Sequence, residues 1–131
     1  MDQQQAQTYL LQKPFSTLDY PFGEEVMVFK VKNKMFATLA LGHLAVGTHQ
    51  AEAEKRFYWM NLKCDPDEAQ ALRDIFPSVI PGYHMSKRLW NTVVLDGSIP
   101  QGEIERMMDN SFKLVVSKMT KKDQQSILLH L

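Results

Sequence analysis

Apolar residues fall along this chain in two rhythms, and the switches between them mark out its elements. From Gln3 to Lys13 the repeat is helical, with Ala6, Tyr9, Leu10 and Lys13 on one face at i, i+3, i+4, i+7. Pro14 ends that helix, because the residue before a proline is pushed out of the α region. FSTLDYPFG reads as a loop broken by Pro21 and Gly23, and Phe15, Tyr20 and Phe22 are expected to lid the core edge. At Glu25 the period drops to two. Val26, Val28 and the Lys30 stem point one way, and Met27, Phe29 and Val31 the other. Lys32-Asn33-Lys34 is a tight turn with Asn33 left-handed, so Met35–Leu41 returns as the second strand of a hairpin. Gly42 and Gly47 predict turns, Leu44-Ala45-Val46 a short strand, and 50–55 a loop or single helical turn. FYWMNLK (Phe57–Lys63) alternates as a third long strand, rich in aromatics that suit a pleated surface.

The helical period then returns. Asp65 can cap a helix, Pro66 suits its first position and Glu68 stands three residues past the cap. Ala69, Leu72 and Phe76 form its apolar face, and Pro77 stops it. Ser78–Ile80 adds a brief extended piece before Pro81-Gly82 turns the chain. Leu89–Leu95 is a strand ended by Asp96-Gly97. Pro100 opens the longest helix, with Ile104, Met107, Met108, Ser111, Phe112, Val115 and Met119 on one side. Ser111 falls on that buried side, where its hydroxyl needs a partner such as a backbone carbonyl. Thr120 and Asp123 cap a last short helix over 124–131, with Ile127, Leu128 and Leu131 docking. The order is helix, hairpin, strand, helix, strand, helix, helix. A local hairpin with few strands predicts a single α+β domain over 1–131, an antiparallel sheet with helices on one face.

Composition changes this picture little. Fifteen basic and fifteen acidic residues cancel. Zero net charge argues against a non-specific polyanion binder, though it leaves room for one basic face balanced by acid elsewhere. One cysteine, Cys64, excludes an internal disulfide. MDQQQAQTYLL lacks the features of a signal peptide, and the longest apolar-leaning run, Met35–Val46, is far short of about 20 residues. A soluble, cytoplasmic protein with no membrane association is expected.

Candidate chemistry is sparse. There is no phosphate-binding glycine loop, CxxC, HExxH or nucleophile elbow, so no cofactor or metal is implied. Cys64 precedes a helix start and follows Lys63, a setting that could lower its pKa, but it has no evident base. Asp67 with Glu68, and Glu103 with Glu105, are accounted for by helix N-termini. What remains is Tyr83-His84-Met85-Ser86-Lys87-Arg88-Leu89-Trp90-Asn91. Lysine and arginine bind phosphates, and aromatic rings stack on bases. Equally, Trp90 is a core anchor at a strand start with Lys87 and Arg88 solvated beside it. Both readings stay open on the residues alone.

These residues carry a resemblance. PFGEEVMVFKVKNKMFATL, LKCDPDEAQALRDIFPSVIPGYHMSKRLWNTVVLDGSIP and DNSFKLVVSKM look like the MmcQ/YjbR family over nearly the whole chain. The most specific stretch is PGYHMSKRLWNTVVLDG, matching at Pro81, Gly82, Tyr83, His84, Lys87, Trp90 and Asn91, with Lys63 and Pro66 fitting a lysine-to-helix step. Ser111-Phe112 stands where the family usually shows Ser-Tyr, and 43–56 is longer than usual. The resemblance implies a CyaY/frataxin-like fold, a twisted antiparallel sheet with helices packed on one face. It also implies non-enzymatic DNA binding through a double wing of β-hairpins. Frataxin's iron role does not transfer, since Asp2 is the only acid in the first helix. On this reading Lys32, Lys34, Lys63, Lys87 and Arg88 meet phosphates of double-stranded DNA, while His84, Trp90 and Asn91 approach bases or sugars, and the protein acts as a monomer. The alternatives are a protein- or peptide-binding adaptor and a small-molecule pocket near Tyr83, His84 and Trp90.

Overall fold

The computed structural model describes residues 1–42 and 57–130. The short strand expected at 44–46 and the turn at 50–55 lie outside the described residues. Among the described residues there are four helices and six strands: α1 (Gln3–Leu11), β1 (Ser16–Asp19), β2 (Val26–Val31), β3 (Lys34–Leu41), β4 (Tyr58–Lys63), α2 (Pro66–Ile75), β5 (Val79–Pro81), β6 (Trp90–Val94), α3 (Gln101–Ser117) and α4 (Lys121–Leu128). The strands form one sheet in the order β1-β2-β3-β4-β6-β5, every neighbouring pair antiparallel. The expected α+β architecture therefore holds, with two more strands than the periodicity shows. β1 lies inside FSTLDYPFG, and β5 is the brief extended piece after Pro77. Both are short edge strands, too few residues for alternation to register.

Register sorts the side chains. Phe29 pairs Ala37, Ala37 pairs Leu62, Leu39 pairs Met60 and Met60 pairs Val93. These residues, with Met27 and Val31, build the helix face and are buried against Ala6 and Leu10 of α1, Ala69 and Leu72 of α2, the apolar stripe of α3 and Ile127 of α4. On the opposite, open face stand Val28, Thr38, Asn61 and Thr92, linked by the pairs Val28–Thr38, Thr38–Asn61 and Asn61–Thr92.

Three local features follow the sequence closely. Lys32 and Asn33 both take positive φ (45° and 67°), the backbone of the two-residue hairpin turn whose twist matches its strands. Asp65 accepts from the backbone N–H of Asp67 and Glu68 and caps α2, with Pro66 opening it. Glu68 does not close a capping box; its carboxylate meets Arg106 at 2.6 Å. The register of β2 and β3 slips between Phe29 and Lys30, leaving Phe36 as the extra residue of a β-bulge. The bulge sends Phe36 into the core, edge-on to Phe112 at 5.3 Å between centroids. Ser111 Oγ donates to the Phe36 carbonyl at 2.5 Å and accepts from the Lys63 N–H at 2.8 Å. The buried hydroxyl thus finds the carbonyl its position demanded and stitches α3 to β3 and β4.

Other expectations fail at the periphery. Phe15, Tyr20 and Phe22 do not lid the core; all three are exposed, and Phe15 packs edge-on against His130. α4 starts at Lys121 behind the Thr120 cap, with Ile127 docked and Leu128 facing solvent, while Leu131 lies outside the described residues. A helix of eight residues, about two turns, can present only a narrow stripe to the core.

Candidate functional site

The strand directions bring the candidate cations to one end of the sheet. β2 ends and β3 begins at the Lys32-Asn33 turn; β4 ends at Lys63; β6 begins at Trp90, which pairs with Lys63; and β5 runs into the 82–89 loop at the same end. Lys34, Lys87 and Arg88 are exposed there and Lys63 is half-buried. Lys87 Nζ donates to the Gly82 carbonyl at 3.4 Å. Lys32 is at the same end but engaged: its Nζ is 3.3 Å from Asp123 Oδ1 and 5.1 Å from the Phe15 ring centre. Three further lysines join them from the helix layer. α3 passes this end after Ser111, bringing exposed Lys118, and the Lys32–Asp123 pair holds the start of α4, with exposed Lys121 and Lys122, against the hairpin tip. Their positions near a helix terminus carry no mark of phosphate chemistry in the sequence. Only the packing of α3 and α4 reveals them.

The other end of the sheet is acidic. Glu24 and Glu25 precede β2, Asp96 follows β6, Glu103 lies in the first turn of α3, and Asp2 caps α1, whose Gln3 reaches Met27 of β2. Among the described residues the charges are thus biased along the strand axis: cations outnumber the carboxylates of Asp65, Asp67 and Asp123 at the first end, and carboxylates prevail at the second.

The basic-aromatic cluster itself divides. Lys87 and Arg88 stay at the basic end, while Tyr83 and His84 fold over the open face. A polar clasp holds that fold. The Thr92 hydroxyl donates to Asn61 Oδ1 and accepts from the Tyr83 N–H at 2.8 Å, and Asn61 Nδ2 donates to the Tyr83 carbonyl at 3.1 Å. Gly82 is required at the bend, since a Cβ there would lie 2.8 Å from Trp90 Cβ and 2.9 Å from its carbonyl oxygen. His84 takes φ 59°, a left-handed conformation held by its surroundings. Tyr83 stands edge-on to Trp59 at 5.4 Å, and the His84 ring lies 4.1 Å from it. Trp59 in turn covers Gly42, where a Cβ would meet the indole at 2.2 Å.

Beside this clasp runs a trough of about 830 Å³. Thr38, Ala40, Asn61 and Thr92 floor it; Trp59, Tyr83, His84 and Met85 line one side; Tyr20, Phe22, Glu24 and Glu25 line the other. The alternation of FYWMNLK placed Trp59 and Asn61 on a common face, but only strand pairing shows that this face is shared with Thr92 and crossed by Tyr83.

One expectation is corrected here. Asn91 cannot approach a nucleic acid: it is on the helix face, 2% exposed, donating to the Ala69 carbonyl at 3.3 Å. Trp90 shares the open face with Thr92, half-buried against Gly82 and outside the helix-side core. Cys64 is as unreactive as its lack of a base suggests. It is buried, and burial, followed by the nearby Glu68 and Asp65 carboxylates, pushes its thiol up to about 11. The adjacent lysine and helix start do not produce an activated nucleophile. No three His, Cys, Asp or Glu side chains converge as a metal site among the described residues, and no helix among them is long and apolar enough to cross a membrane.

Comparison with known proteins places the chain. The family model described as YjbR matches residues 11–114. The uncharacterized protein YbdF of Escherichia coli O157:H7 is 33% identical over 123 residues, covering 93% of this chain and 90% of its own length. The uncharacterized protein YyaQ of Bacillus subtilis is 42% identical over a shorter stretch of 55 residues. Among solved structures, Deinococcus radiodurans protein DR2400 superposes with a TM-score of 0.79 at 29% identity, over 96% of this chain and 87% of that one. A Pseudomonas syringae protein gives 0.77 at 30% identity, over 88% and 99%. Fold, signature stretch and full-length similarity agree: the chain belongs to the YjbR family.

Proposed function

We propose that this protein is a non-enzymatic, cytoplasmic DNA-binding protein that meets the phosphate backbone with the basic end of its sheet. The observation that carries the reading is the gathering of lysine and arginine at one end of the strands among the described residues, in excess of the Asp65, Asp67 and Asp123 carboxylates there. Lys34, Lys63 and the neighbouring pair Lys87-Arg88 reach that end from three separate points of the chain, and Lys118, Lys121 and Lys122 extend it into the helix layer. Lysines in the first turn of α4 oppose the helix dipole, so helix stability does not account for them. Phosphate binding does, because a cationic surface displaces the counterions condensed on DNA. The β2–β3 hairpin is one wing. The 82–89 loop, held by the Thr92–Asn61 clasp, occupies the place of a second. His84 lies with the trough and has no part in the phosphate contact.

A protein that adds a strand to the sheet is less well supported. The two edges are strands of four and three residues, and the latter ends in Pro81, which leaves little ladder for a partner or a second copy. A monomer is the expected state.

Fluorescence anisotropy with a labelled duplex, titrated at several salt concentrations, tests the proposal. Four or five phosphate contacts give a log–log slope of about −4. Alanine at Lys34, Lys87 and Arg88 together weakens binding and flattens that slope. Absence of salt-sensitive binding at low ionic strength would sink the reading.

A further inference from the structure

The trough on the open face has a chemistry opposite to that of the basic end. Its volume of about 830 Å³ lies within the range of small-ligand sites. Among the described residues lining it, the only formal charges are the exposed carboxylates of Glu24 and Glu25, with no lysine or arginine. Across from them, Trp59 and Tyr83 meet with their rings at 89°, forming an aromatic corner. Tyr20 and Phe22 bring two more rings from the side of the carboxylates. The floor is neutral, and its Asn61 and Thr92 side chains already satisfy one another and the Tyr83 backbone. The aromatic wall is therefore fixed before any ligand arrives, which spares the cost of ordering it on binding.

Aromatic faces and carboxylates together select one ligand class. A ring presents negative charge on its face, so a weakly hydrated cation gains from it, most of all over tryptophan. A carboxylate adds direct attraction and repels anions. Among the described lining residues an anionic ligand would meet the Glu24 and Glu25 carboxylates with no lysine or arginine to offset them, and a neutral apolar ligand would gain nothing from those carboxylates. We propose that the trough is a binding site for an organic cation, an ammonium or methylated ammonium group carried on a small apolar body. The site is separate from the DNA reading, since it lies on the open face and toward the acidic end of the sheet.

The experiment compares shape with charge. Choline and phenyltrimethylammonium are titrated into the full chain, followed by Trp59 fluorescence in a Trp90→Phe background and by amide shifts in ¹⁵N spectra. The controls are 3,3-dimethylbutan-1-ol, the neutral isostere of choline, and phenylacetate, an aromatic anion. The expected result is saturable binding of phenyltrimethylammonium at roughly millimolar affinity or tighter, with shifts at Trp59, Asn61, Tyr83 and Thr92. The neutral isostere should bind about tenfold more weakly than choline, and phenylacetate not at all. Glu24→Gln with Glu25→Gln, both at exposed positions, should weaken the cation about fivefold, and Trp59→Leu roughly fivefold to thirtyfold. The isostere comparison uses no trough variant, and the amide shifts report it equally in the Trp90-containing chain, so it stands even if a variant fails to fold. Equal binding of the isostere or the anion, shifts mapping away from the trough, or no saturable binding of either cation would overturn the proposal.

Discussion

On the helix side of the sheet, Phe29, Leu39, Met60 and Val93 are wholly enclosed by α1, α2 and α3. One residue further along the same strands, Val28, Thr38, Asn61 and Thr92 face the other way, where the described structure offers one loop and a trough. The first surface is closed by apolar volume, which is non-directional and roughly proportional to area. The second is closed by three hydrogen bonds of the Thr92–Asn61–Tyr83 clasp, which are directional and individually modest. The difference teaches where this protein can vary without unfolding. A change on the helix face is a change in stability. A change on the open face is a change in what the 82–89 loop presents.

The sharpest way to break that contrast is a cavity on the helix side. Phe29→Ala should cost about 3–5 kcal/mol, read as a shift in the urea midpoint at constant slope. Against a typical domain stability of about 5–15 kcal/mol this is close to unfolding. A loss below about 1 kcal/mol would show that the helix layer does not depend on its central ring. Next comes Ser111→Ala, which strands the Phe36 carbonyl and the Lys63 N–H in the core at about 1–3 kcal/mol. Gly82→Ala tests the open face. The added methyl has no room beside Trp90, so about 1–3 kcal/mol should be lost, and the near-UV circular dichroism of the Trp59–Tyr83 pair should collapse. If that signal survives, the bend does not hold the aromatic corner.

A pH titration separates the layers more gently. The Cys64 thiol is raised from 9.0 to about 11 by burial first and neighbouring carboxylates second. Tyr9 is raised to about 12, again by burial first and then by its hydrogen bond to Asp109. In both, the folded state holds its proton at a pH where the unfolded chain has released it. Their contribution is complete below pH 9 and is lost as pH climbs through about 11 to 12. Cys64→Ala should flatten the first part of that decline, and the native thiol should react with a disulfide reagent far more slowly than the unfolded one. The smallest expected effect is at the basic end. Lys87→Ala and Arg88→Ala should change stability by no more than about 0.5 kcal/mol, while each lowers the salt slope of DNA binding by about one.

Much of this was legible where one residue's chemistry decides one local outcome. Asp65-Pro66 starts α2, Asn33 takes the left-handed turn, and the stripe from Ile104 to Val115 is the buried side of α3. Ser111 announced a buried hydroxyl in need of a carbonyl, though not that a β-bulge at Phe36 would supply it. The candidate site was legible only in part. His84 and Lys87 stand three residues apart, yet the clasp sends one to the trough and leaves the other at the basic end. Trp90 and Asn91 are neighbours in sequence on opposite faces of β6, so one is half-exposed and the other sealed. For Cys64, proximity to a helix start is visible in the sequence, whereas the burial that raises its thiol is not.

The sequence by itself determined the periods, the caps, the turn at Lys32-Asn33 and the α+β class, because those depend on contacts within a few residues. Tertiary structure alone decided which cations gather and what the open face becomes. Strand order joins Lys34, Lys63 and Arg88 across more than fifty residues of chain, and register sets Trp59, Asn61 and Thr92 beneath Tyr83. A net charge of zero says nothing about such placement, since Coulomb's law depends on distances that only folding defines.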